Sequence, residues 1–220
     1  LSLNSGLAGY WNLDTNSDTN TTAETSYTLA TNLRSYFTLD QNNLNNNGGY
    51  VAGADLGPAN LSIGAPGAGA CISQYTASGK ISGAYNFGWN GCADSLKTSA
   101  LPTANQNNWS ISAWVKLSSL SQANIMFVYN GSYSANGYGF GINGTAARVA
   151  AYISGIGWRD SGYSLPDLNW HHIVVTRNGT TTQTYVDGTP RGNTSSVTPV
   201  VPTIGLKIGG FGSGADGSGV

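Results

Sequence analysis

Charge is what this chain has least of. Only 9% of its 220 residues are Asp, Glu, Lys or Arg, against about 25% in ordinary soluble domains. Nine basic and ten acidic side chains leave a formal charge of −1, so no basic face offers itself to nucleic acid or to an anionic membrane. Glutamate occurs once, at Glu24, and histidine only at His171 and His172. No apolar run approaches the roughly 18 residues of a membrane span. No signal-peptide pattern is visible and the first residue is Leu1, so a processed or trimmed product is expected. Helical periodicity is nearly absent. Cysteine is limited to Cys71 and Cys92. In a chain rich in Ser, Thr and Asn, such a pair suggests a disulfide and an oxidising compartment. Closing a loop of about 20 residues contributes roughly 3 kcal/mol in the chain-entropy model. The other reading is two unrelated buried thiols.

Asn, Ser, Thr and Gly must therefore make the surface polar, a composition common in secreted, cell-surface and virion proteins. Seven Asn-x-Ser/Thr sequons, starting at Asn20, Asn60, Asn108, Asn130, Asn143, Asn178 and Asn193, follow from that composition and do not by themselves mark glycans. The length fits one large all-β domain, or one domain with an arm. Hydrophobic content of 40% allows a sizeable core.

Period-2 runs recur between Gly/Asn turns, as in a sandwich or jelly roll. In "WSISAWVKL", Trp109, Ile111, Ala113, Val115 and Leu117 share the core face, and Ser110, Ser112, Trp114 and Lys116 the other. In "GYGFGI", Tyr138, Phe140 and Ile142 share a face opposite Gly137, Gly139 and Gly141. A glycine face marks a place where something approaches the backbone closely. Asn143-Gly144 is a hairpin signal. In the following "ARVAAYI", Val149, Ala151 and Ile153 point inward and Arg148, Ala150 and Tyr152 outward.

Both histidines lie in "WHHIVVTRNGTTTQTYVDGTPRG". It reads as a three-strand meander, with turns at Asn178-Gly179 and Asp187-Gly188. Adjacent strand residues point to opposite faces, so His171 and His172 cannot ligate one metal or act on one substrate. They are sheet histidines satisfied by their neighbours.

The N-terminal third differs. Residues 41–70 read as loop with little regular structure. "LAGYWNLD" (Leu7 to Asp14) and "LRSYFTLD" (Leu33 to Asp40) repeat the pattern Leu-x-x-Tyr-aromatic-x-Leu-Asp, so a first-strand-like segment occurs twice.

The order of "YFTLD", "GKISGAYNF", "WSISAWVKL", "WHHIVVTRNG", "TYVDGTPRG" and "LKIGGF" resembles laminin-G-like, concanavalin A-like lectin/glucanase domains, from about Leu33 to Phe211. The resemblance implies an all-β fold, a two-sheet antiparallel jelly roll, with the Trp-His-His segment as a framework strand. It also implies a secreted protein, glycan binding and often a structural calcium. The division expected is an N-terminal arm, 1–31, carrying the extra first-strand-like segment, and a jelly-roll domain, 32–220. The family's usual last strand, Ile-Asp-Glu-Val-Arg-Ile-Tyr in type, has no counterpart before "FGSGADGSGV". Either the sequence is truncated, or the first copy (Leu7 to Asp14) fills that edge, or a neighbouring subunit supplies a strand.

Glucanases of this fold use a pair of carboxylates, usually glutamates on one strand. A single Glu24 and nine dispersed aspartates do not form that pattern, and no Gly-x-Ser-x-Gly elbow or P-loop is present. A non-enzyme is expected. "DTNSDTN" sets Asp14, Asn16 and Asp18 at alternate positions, like the first ligands of an oxygen cage. The later positions, Thr19 and Thr25, depart from an EF-hand, and a solvated polar loop is the competing reading. By resemblance, Asp94 lies where relatives often carry an acidic residue close to calcium.

Glycan binding needs an aromatic platform with planar polar groups. "GWRDSGY" offers Trp158, Arg159, Asp160 and Tyr163; "YNGSYSANGY" offers Tyr129, Asn130, Tyr133 and Asn136. Trp114 and Tyr152 are expected to line an open sheet face beside Gly139 and Gly141. Against this, Trp158 would cap the core, and Arg159 and Asp160 would pair with each other. The expected function is a non-catalytic, lectin-like, extracellular domain for adhesion or surface-ligand binding. The rival is a subunit of a surface fibre, pilus or virion, assembled from identical copies by strand addition.

Overall fold

A computed structural model of the chain describes residues 74–81, 83–87, 107–121, 125–132, 136–144, 146–192, 194–196 and 206–209, with Pro202 and the strand backbone at 36–37, 50–51, 54–56, 61–63 and 96–98. Every regular element described is a strand. In chain order these are β1 (Tyr36–Phe37), β2 (Tyr50–Val51), β3 (Ala54–Leu56), β4 (Leu61–Ile63), β5 (Gln74–Thr76), β6 (Ala84–Asn86), β7 (Leu96–Thr98) and β8 (Asn108–Val115). The second half holds β9 (Ile125–Ser132), β10 (Asn136–Ile142), β11 (Arg148–Ile153), β12 (Gly157–Ser164), β13 (His171–Asn178), β14 (Thr181–Val186), β15 (Thr189–Arg191) and β16 (Leu206–Ile208).

Two antiparallel sheets carry the fold. One has eight strands in the order β12-β11-β10-β9-β16-β7-β4-β2, the other four in the order β15-β14-β13-β8. They pack face to face as a jelly-roll sandwich. Alternation explains which side chains meet. On β8, Val115 is buried while Trp109, Ile111 and Ala113 pack partly buried against the core, and Ser110, Ser112 and Trp114 are exposed. On β13, His171, Ile173, Val175 and Arg177 are buried in strict alternation. Phe140, Ile142, Val149 and Ala151 of the large sheet complete the core, each at 0% exposure. The inward phases of "WSISAWVKL", "GYGFGI" and "ARVAAYI" are therefore the ones the sequence predicts.

The glycine face of β10 is where neighbouring strands close in. A Cβ at Gly139 would run into the Val128 carbonyl oxygen and lie 2.8 Å from the Tyr129 ring. Gly131 and Gly137 pair across β9 and β10 with φ of 110° and 120°, a region closed to side chains. The three predicted turns form, two with altered centres. Asp187 and Gly188, φ 50° and 76°, have the two positive angles of a type I′ turn. The β13–β14 turn centres one residue later than expected, on Gly179 and Thr180, because Asn178 still pairs with Thr181. The Asn143-Gly144 hairpin has a longer loop, in which Ala146 and Ala147 also take positive φ, 64° and 51°.

Residues 41–70 are a correction. They contain β2, β3 and β4, not loop alone. β4 pairs with β7 and β2 with β4, extending the large sheet. Strands of two or three residues are too short to show period 2, and neighbouring backbone holds them. β3 pairs with β1, setting Tyr36 opposite Leu56. The Leu7–Asp14 copy lies outside the described residues.

Candidate functional site

The two histidines mark one end of the sandwich. His171 faces in, donating Nδ1–H to Asp187 at 2.7 Å, with Nε2 3.2 Å from Asp167. His172 faces out. It shares a 2.8 Å hydrogen bond with Ser112 and lies 5.0 Å from Trp114. Burial pushes its pKa below the ordinary value. The pair is framework, as alternation requires.

The opposite end gathers different chemistry. There β9, β10, β8, β13 and β14 bring Asn130, Tyr138, Trp109, Arg177 and Thr182 together. Trp109 and Tyr138 come from different sheets and stack at 4.3 Å, 13° from parallel. Asn130 donates its amide N–H to the Tyr138 hydroxyl at 3.3 Å. Burial raises the Tyr138 pKa, and the Asn130 contact offsets part of that. Trp109 pairs with Arg177 across β8 and β13, and Arg177 with Thr182 across β13 and β14. Arg177 is 2% exposed, and burial pushes its pKa below the usual arginine range. Its Nη1–H reaches the Thr182 hydroxyl at 3.2 Å and the Ser195 carbonyl at 3.5 Å.

Outside this cluster an open cleft of about 370 Å³ is lined by Ile156, Arg159, Thr180, Thr181, Thr194, Ser195 and Ser196. The β11–β12 turn, the β13–β14 turn and the segment after β15 form its walls. It is built from hydroxyls, one guanidinium and one apolar side chain.

The structure sorts the predicted ligand residues. Asn136, Trp158 and Arg159 come to this end. Trp158 lies half-buried on the outer face of the large sheet, edge-on to Tyr152 at 5.2 Å, and Tyr152 meets Tyr129 at 5.4 Å. Trp158 therefore does not cap the core between the sheets. Asn136 is buried, and its carbonyl accepts the Tyr129 O–H at 3.2 Å. Asp160 is not brought to the cleft: it pairs with Arg148 at 2.7 Å, and not with Arg159, because adjacent strand residues face opposite ways. Tyr163 packs against the core under the Arg191 guanidinium, 3.7 Å from ring centroid to Cζ. Trp114 and Tyr152 do not share a face either. They belong to different sheets, and Lys80 sits 4.9 Å over the Trp114 ring. Tyr152 is itself 6% exposed, so the face beside Gly139 is not open. Tyr133, the calcium candidates Asp14, Asn16, Asp18 and Asp94, and both Cys71 and Cys92 lie outside the described residues. Among the described residues no group of three His, Cys, Asp or Glu side chains is placed to hold a metal.

Arg177 is not among the residues that composition and motif single out. Its signal was its phase: two residues beyond Val175 on an alternating strand, it must point inward.

A two-sheet sandwich with a loop-walled polar cleft at one end belongs to the lectin-like class of all-β domains. The family model described as "Concanavalin A-like lectin/glucanases superfamily", a laminin-G-type model, matches residues 90–217, and the chain belongs to that family. The match begins after "YFTLD" and "GKISGAYNF". Among solved structures the chain is similar to Domain 4 of AbnA, a GH43 extracellular arabinanase from Geobacillus stearothermophilus, in complex with arabinotriose. The TM-score is 0.50 at 17% identity, covering 70% of this chain and 73% of that one; the likeness is one of fold. No curated protein matches the chain by sequence.

Proposed function

We propose that this domain binds carbohydrate without cleaving it, and does so outside the cell in an adhesin-like role. The observation that carries the reading is the open cleft. Thr180, Thr181, Thr194, Ser195, Ser196 and Arg159 line one concavity together with Ile156. Its volume lies within the range of small-ligand sites, and its lining offers hydrogen-bond partners for sugar hydroxyls beside an apolar wall. Family membership and a fold neighbour solved with arabinotriose support the same reading.

The carboxylates among the described residues, Asp160, Asp167 and Asp187, are in keeping with the non-catalytic part. A glycosidase general acid needs a raised pKa. Asp167 is lowered, chiefly by the Asn169 backbone N–H. Asp187 is lowered too: burial would raise it, but hydrogen bonds from His171 and the His172 backbone N–H outweigh that. Asp160 is tied to Arg148.

Glycan-array screening followed by calorimetry tests the reading. Saturable binding is expected, weakened about tenfold by Arg159→Ala, the equivalent of roughly 1.4 kcal/mol. Trp114→Ala, on the far sheet, is expected to leave it unchanged. A folded domain that binds no glycan, or one that turns a glycan over, ends the proposal.

A further inference from the structure

The geometry points to a more specific ligand: an acidic sugar, whose carboxylate docks on Arg177 behind the cleft. This rests on the glycan-binding reading and adds the charge class of the glycan. Arg177 is almost wholly buried, yet among the described residues no carboxylate forms an ion pair with it. Only Nη1 is engaged, by Thr182 and, at the long distance of 3.5 Å, by the Ser195 carbonyl. Nε and Nη2 are buried without a hydrogen-bond partner. Those two N–H groups lie parallel along one edge of the guanidinium plane. Two coplanar parallel donors match the two oxygens of one carboxylate. A neutral hydroxyl would engage one donor at a time and leave the charge uncompensated.

The surroundings agree. The Trp109 indole N–H and the Asn130 amide oxygen, at the same end of the sandwich, are also buried and unpartnered. They supply one donor and one acceptor for ring hydroxyls beside the carboxylate. Ser195 both accepts from Arg177 and lines the cleft, and Thr181, next to Thr182, lines it too. The Ser195 carbonyl thus lies between the cleft and the Nη1 side of the guanidinium.

Calorimetry on the full chain with trigalacturonate, its neutral trigalactose counterpart and a sulfated galactose trimer is the test. The uronate is expected to bind at least about tenfold tighter than the neutral trimer, with an affinity that falls as salt rises. Arg177→Met should abolish that preference while raising the melting temperature, because an unpaired buried charge gives way to an apolar chain of similar length. Arg177→Lys keeps the charge but lacks the two-toothed edge, and should lose the preference too. In the unaltered protein, titration with galacturonate should shift the Arg177 Nε–H resonance; this reading needs no variant to fold. An unshifted resonance, an Arg177→Met variant that keeps the preference, or a sulfated trimer preferred over the uronate overturns the inference. Equal binding of uronate and neutral trimer overturns it while leaving the glycan-binding reading intact. No binding of any trimer overturns it too, and the glycan-binding reading falls with it only if the array also shows no glycan bound.

Discussion

Asp187 serves three purposes. Its φ of 50° opens the β14–β15 turn, and its carboxylate accepts from His171 Nδ1–H at 2.7 Å and from the His172 backbone N–H at 2.8 Å. Asp187→Ala is expected to cost about 2 kcal/mol in urea unfolding, the usual size for losing charge-assisted hydrogen bonds at a half-exposed group. Asp187→Asn tolerates the same backbone angle and should cost less. The pH dependence follows from the directions of the shifts. His172 is held below its ordinary 6.5 by burial, so the folded state favours the neutral ring. The stability it contributes is complete above pH 6.5 and drains away as pH falls below it. Asp167 and Asp187 are held below 3.8, so their contribution is complete above that value and is lost as pH falls through the depressed ones. Melting temperature should therefore drop in two stages on acidification, the first from about pH 6.5 and the second below about pH 4. His172→Gln should remove the first stage alone. A wild-type melting temperature flat from pH 7 to pH 5 contradicts this assignment.

At the scale of the element, β9 and β10 depend on glycine. A Cβ at Gly137 would strike the Asn130 carbonyl oxygen, and the backbone there has φ 120°. Gly137→Ala is expected to cost at least about 2 kcal/mol, combining a forbidden dihedral with a backbone collision. Gly179, in the β13–β14 turn, has φ 58° with no atom within 4 Å of the added Cβ. Gly179→Ala carries the dihedral penalty alone, about 1 kcal/mol. Chemical denaturation of both variants separates the two causes; equal losses would show that the close approach is not what requires glycine at Gly137. Elements of this length were legible in the sequence. The eight residues of β8 and of β13 display enough alternation to assign a face. β2, β3 and β4 did not, since two or three residues contain no period.

At the scale of the whole molecule, a core cluster among the described residues joins the two sheets. Phe140, at 0% exposure, sits among side chains of both layers. Phe140→Ala is expected to cost about 3–5 kcal/mol, a large share of the roughly 5–15 kcal/mol that holds a domain together. The urea midpoint should fall accordingly, and a loss under 1 kcal/mol would mean that the sheets are not packed through this residue. The charge-poor composition fits this build: the core between the sheets is aliphatic and aromatic, with buried polar side chains such as His171 and Arg177 towards its two ends, and the described carboxylates lie in turns and at the sheet surfaces, paired with Arg148, His171 or backbone N–H groups.

The amino-acid order alone determined the all-β class, the inward and outward phases of the long strands, the presence of the three hairpins though not the centres of two of them, and the framework role of the histidines. These are local matters: Cβ atoms alternate along a strand, and Gly, Asn and Asp tolerate the positive φ of tight turns. Tertiary structure decided which sheet each strand joins. Only that pairing turned Trp114 and Tyr152 to opposite outer faces, took Asp160 to Arg148, and set Trp109, Tyr138, Asn130 and Arg177 around one polar end. Contacts between strands so far apart in sequence follow from how two sheets bury their inner faces against each other, which no stretch of neighbouring residues specifies by itself.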